Sequence, residues 1–116
     1  MAQGLTLPPL NVKNLTPAGT TQATATPVKS IWSPGMLLVN GTAVGGIVLP
    51  PGSKGLWFFI KNTGITQLSL LWIYPSSGQS IDQLALNAFV QMGQQTSIML
   101  VADGSGKWHT FPTVPS

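Results

Sequence analysis

Residues 55–64 read Gly-Leu-Trp-Phe-Phe-Ile-Lys-Asn-Thr-Gly. Five consecutive bulky apolar residues lie between a glycine and an Asn-Thr-Gly turn signal. The run is short for a packed helix and rich in the aromatic residues that strands favour, so Leu56 to Lys61 reads as a β-strand. It is apolar at odd and even positions alike, as are Leu70-Leu-Trp-Ile-Tyr74 and Ile98-Met-Leu-Val101. A strand with one face in water normally alternates. These strands are therefore predicted to be covered on both faces. No window sustains a helical period that could supply the cover, so the second layer is expected from other subunits.

Similar short runs continue on either side: Met36 to Val39, Gly46 to Leu49, Leu68 to Tyr74, Ala88 to Met92, Ser97 to Ala102 and Trp108 to Phe111. Each is bounded by turn chemistry such as Asn40-Gly41, Pro50-Pro-Gly52, Pro75-Ser-Ser-Gly78 or Asp103-Gly-Ser-Gly106. The pattern predicts an all-β chain, an antiparallel β-sandwich or jelly-roll-like domain over residues 14–116. Thr20 to Thr26 is expected to form an edge strand, and Ile81 to Phe89 a loop with at most one helical turn. Residues 1–13 carry Pro8-Pro9 and three separated leucines, Leu5, Leu7 and Leu10, which suits an extended N-terminal arm docking on a neighbour.

Composition limits the chemistry. Of 116 residues only Asp82 and Asp103 are acidic, His109 is the one histidine, and arginine, glutamate and cysteine are absent. Charged residues make up 6%, against about 25% in an ordinary domain. Both aspartates sit near turns, where a short acid accepts backbone hydrogen bonds, and no Gly-x-Ser-x-Gly elbow supports a nucleophile. Gly104-Ser-Gly-Lys107 lacks the glycine and hydroxyl residue that a phosphate loop requires, with Val101 and Trp108 in those places. No enzyme, cofactor or metal site is expected. The five lysines are scattered singly, so no nucleic-acid partner is expected either. The start of the chain lacks the pattern of a secretory leader, and no apolar run approaches membrane-spanning length, so cytosolic synthesis without a membrane segment is expected. Trp32, Trp57, Trp72, Trp108 and Tyr74 leave open a stacking platform for glycans, although packing is the commoner role of such residues.

Several strings, in order, resemble a β-rich module of tailed-bacteriophage virion proteins. They are Ala18-Gly-Thr-Thr-Gln-Ala-Thr-Ala-Thr-Pro27, Ile47-Val-Leu-Pro-Pro51, Ile60-Lys-Asn-Thr-Gly64, Leu70-Leu-Trp-Ile-Tyr-Pro-Ser-Ser-Gly78, Ser80-Ile-Asp82, Leu86-Asn-Ala88 and Gly106-Lys-Trp-His-Thr110. The resemblance implies a non-enzymatic virion protein assembled in the bacterial cytoplasm. A single-module chain of this kind looks like a capsid decoration, or cement, protein on the head surface. Its expected partners are the major capsid protein and further copies of itself, as a trimer. The interface is expected to draw on Leu5, Leu7 and Leu10 of the arm and on Trp57, Phe59, Leu71 and Ile73 of the doubly apolar strands. The alternative is a receptor- or glycan-binding module of a tail or head fibre. Leu56-Trp-Phe-Phe59 departs from the small β-branched residues such modules usually carry, which favours extra buried contacts.

Overall fold

A computed structural model of the chain describes residues 10–41 and 43–113. Among the described residues ten strands form: β1 (Asn11–Leu15), β2 (Thr26–Pro27), β3 (Gly35–Val39), β4 (Gly45–Val48), β5 (Trp57–Asn62), β6 (Leu71–Tyr74), β7 (Ser80–Ile81), β8 (Val90–Met92), β9 (Ser97–Ala102) and β10 (Lys107–Phe111), with one 3-10 turn at Ser30–Trp32. They make a six-stranded sheet in the order β1-β3-β5-β9-β10-β7 and a four-stranded sheet in the order β2-β4-β6-β8.

The chain is all-β, but its sheets are mixed. β1, β3 and β5 run parallel in one sheet, and β2, β4 and β6 run parallel in the other. The first half therefore winds like a solenoid, each coil laying one strand on each sheet. Crossing through the opposite sheet supplies the dozen or so residues that a parallel connection needs without a helix. Antiparallel strand pairing, expected throughout, is made by the second-half strands, with β8 against β6, β9 against β5 and β10 against β9, while β7 lies parallel to β10 and the first half has a single isolated antiparallel bridge between Ala18 and Gly46 among the described residues. Side-chain alternation is the same in either direction, so the sequence pattern does not distinguish the two.

Both sheets contribute to one core. Leu37, Phe58, Ile60, Leu100 and Trp108 of the larger sheet meet Ile47, Leu71, Ile73, Val90 and Met92 of the smaller. The Phe58 and Trp108 rings lie 6.0 Å apart. Buried Asn62 ties the sheets at one end: its amide nitrogen donates to the carbonyls of Ser69 at 2.7 Å, Gly93 at 3.0 Å and Met92 at 3.2 Å, while its oxygen accepts from the Gly64 N–H at 3.0 Å. Gly35 opens β3 because a Cβ there would stand 2.2 Å from the Trp32 carbonyl oxygen.

The winding end carries features that discourage further pairing. Its two edge strands are β1 and β2. β2 is two residues long and includes Pro27, which has no N–H to donate. In β1, Lys13 has the inward parity of Asn11 and Leu15, and its ammonium lies 5.6 Å from the centroid of Trp32. A cation on the inner side of an edge strand discourages a new strand from adding there. Residues 11–13, which the sequence reading assigns to the arm, belong to this edge strand. Leu5 and Leu7 lie outside the described residues.

Two further expectations are corrected. Thr20 to Thr26 is not a strand up to its last residue; Thr24 and Ala25 donate backbone hydrogen bonds to the Thr21 carbonyl, and the hydroxyls of Thr21 and Thr24 pair at 2.7 Å. Threonine hydroxyls that bond locally compete with the sheet ladder. The doubly apolar strands are likewise not equivalent to one another: β6 has its outer side covered from within the chain, whereas β5 leaves one face open. In β5, Phe58, Ile60 and Asn62 point into the core, while Trp57, Phe59 and Lys61 point out.

Candidate interaction face

The two aspartates and the histidine are arranged as struts. Asp82, at the end of β7 with a positive φ of 51°, accepts hydrogen bonds from both the N–H and the hydroxyl of Thr110, which locks β7 to β10. Asp103 accepts from the Ser105 N–H at 2.8 Å and hydroxyl at 2.6 Å, and its other oxygen lies 2.8 Å from His109 Nε2. The Ser105 hydroxyl, then His109, hold the Asp103 carboxyl well below the usual carboxylate range. Serine, histidine and aspartate thus meet, but in the wrong order for nucleophilic chemistry. A catalytic serine donates to the imidazole, whereas Ser105 donates to the carboxylate, which leaves no base on its oxygen. Among the described residues no three histidine, cysteine or acidic side chains gather as metal ligands.

The outer side of the six-stranded sheet has a different character. Register places Val12 beside Met36, Met36 beside Phe59, Phe59 beside Met99, and Met99 beside Phe111. These five side chains form an apolar row across five adjacent strands. Three stay open to solvent: Val12 at 56%, Phe59 at 40% and Phe111 at 53%. A second row runs Trp57, Val101, His109, and a third Asn14, Leu38, Lys61, Ser97. The Trp57 ring meets Phe59 edge-on at 5.3 Å. Between the first and third rows a depression of about 250 Å³ is lined by Met36, Phe59, Ile60, Lys61 and Ser97. Contiguous exposed apolar surface of this kind marks a contact site far more often than isolated exposed hydrophobes do.

The four-stranded sheet covers its own outer side. Trp72 stacks on Phe89 at 4.4 Å and donates its indole N–H to Gln91 at 2.9 Å. The Tyr74 hydroxyl donates to the Thr20 carbonyl at 2.8 Å, Ala18 bridges to Gly46, and Ala25 is buried. Residues 18–25 thus supply, from within the chain, cover that the sequence reading assigned to another subunit.

The residues expected at an interface separate accordingly. Trp57 and Phe59 lie on the open face, and Leu10, exposed, directly precedes β1. Leu71 and Ile73 are buried in the chain's own core and face no partner; their parity in β6 points inward, and Trp72 is the outward residue. Nothing in the sequence sets Val12, Met36, Met99 or Phe111 apart. Each is an unremarkable hydrophobe in its own strand, and only the register joins them. The five aromatic residues do not form one platform: Trp108 is fully buried, Trp32 packs against the core, Trp57 lies on the open face, and Trp72 and Tyr74 meet around Phe89 on the opposite sheet, with Tyr74 buried.

Among the described residues no helix is long and apolar enough to cross a membrane. No family model matches the sequence, and no curated protein matches it.

Proposed function

We propose that this chain is a non-catalytic virion structural protein of the capsid-decoration type, whose two facing sheets serve as a small sandwich that presents one apolar side to the shell. One observation carries the reading: an uncovered apolar row crosses five strands of a chain whose two carboxylates and one imidazole are all engaged in holding turns and strands. The rest of its surface is poor in charge, which suits repeated burial, because an unpaired ion costs far more to bury than a hydroxyl that finds a partner. Apolar burial contributes about 25 cal/mol per Å² removed from water, and a shell offers the same contact many times. The major capsid protein is the partner this reading implies.

An antibody raised against the chain tests the proposal. It should label the heads of intact virions in electron microscopy, and the chain should band with those particles on a density gradient. Label confined to tails would favour the fibre reading, and a chain that bands with no particle would refute both.

A further inference from the structure

We propose that the open face of the six-stranded sheet is a docking site for an acidic-rimmed, apolar protein surface, not for a second copy of this chain. The inference rests on the reading that this face is where the chain makes its contact, and it names the chemistry of the occupant.

Charge is the first argument. Lys61 forms one wall of the depression beside Phe59 and is exposed. Lys107 opens β10 at the other end of the same strands, and Lys54 packs against the adjoining turn at Gly104. The apolar row is therefore bracketed by ammonium groups. A second copy would bring the same lysines and a net charge of +3, and the carboxylate beside this face, Asp103, is already paired with His109 at 2.8 Å. A self-complementary contact would set like charges together.

Size is the second. Five strands about 4.8 Å apart and rows about 6.8 Å apart give, with side-chain margins, a patch on the order of 500 Å². A stable two-body interface buries about 800 Å² on each partner. The face is thus too small to hold a free dimer, and it suits a contact repeated across a larger assembly. Single-stranded nucleic acid is disfavoured although aromatics are present. Aliphatic Val12, Met36 and Met99 separate Phe59 from Phe111 and from the sheet edge, and no arginine is present to stack or fork onto phosphates.

Amide NMR spectra of the full chain, titrated with an acetylated and amidated Glu-Glu-Leu-Phe-Leu-Glu-Glu peptide, test this. Shifts should centre on Met36, Phe59, Lys61 and Ser97. The counterpart with lysines in place of glutamates should bind about fivefold more weakly, and Lys61→Glu should invert that order. The proposal is overturned by shifts away from this face, by equal response to both peptides, or by no response up to about 1 mM peptide. It is also overturned if decathymidylate binds the same residues, or if light scattering shows a dimer whose dilution shifts map to them. Virion labelling is independent of the titration, so either reading can fail while the other stands.

Discussion

Phe58 and Phe59 are adjacent, chemically identical and on opposite sides of one strand, so truncating each in turn measures the face directly. Phe58 has no exposed surface and packs against Trp108 with ring centroids 6.0 Å apart. Removing a fully buried phenyl ring loses its transfer free energy and leaves a cavity that a close-packed core fills only in part, a cost of about 3–5 kcal/mol. For a domain of this size each kcal/mol corresponds to roughly 4 °C, so Phe58→Ala should lower Tm by about 12–20 °C. Phe59 is 40% exposed and meets Trp57 edge-on at 5.3 Å. Its ring already contacts water, so Phe59→Ala should cost about 1 kcal/mol or less, roughly 4 °C. Circular dichroism melts and urea titrations followed by tryptophan fluorescence read both variants. Only Phe59→Ala should keep the wild-type fold while losing attachment to the particle. Equal destabilisation by the two changes, or a larger loss for Phe59, would show that β5 does not present one face to the core and the other to solvent.

Asn62→Ala should cost about 2 kcal/mol, because it removes two N–H donors shared among three carbonyls at one end of the core, at about 1 kcal/mol per hydrogen; a urea-derived loss below about 1 kcal/mol would mean those carbonyls find other donors. Asp103 has a folded-state pKa depressed below its unfolded value, so the stability it contributes is complete above about pH 4 and is lost as pH falls further. The Tm gap between the wild type and Asp103→Asn should therefore narrow on going from neutral pH to about pH 2; a gap that widens in acid would contradict the bonds from Ser105 and His109.

Features set by a local stretch are legible in the sequence, and features set by pairing are not. Seven of the expected runs coincide with β3, β4, β5, β6, β8, β9 and β10, because each has its own apolar stretch and its own turn. β1 went unread because Asn11-Val-Lys-Asn-Leu15 has little strand character; it is a strand by pairing with β3. β7 is two residues long and is defined by Ser80 and Ile81 lying beside Lys107 and Trp108. The open face was half legible. Trp57 and Phe59 stood out as bulky residues, whereas Leu71 and Ile73 looked equivalent to them until the parity of β6 turned both inward.

The residue string alone establishes short strands around an apolar interior and a chain with two acidic residues and one histidine. Those properties follow from residue type and local spacing. Long-range pairing is what winds the first six strands in parallel coils, lays residues 18–25 over one sheet and joins Val12, Met36, Phe59, Met99 and Phe111 in one row. The physical reason is that alternation along a strand fixes which side chains share a face, but direction and register between strands are set by hydrogen bonds to residues distant in the chain.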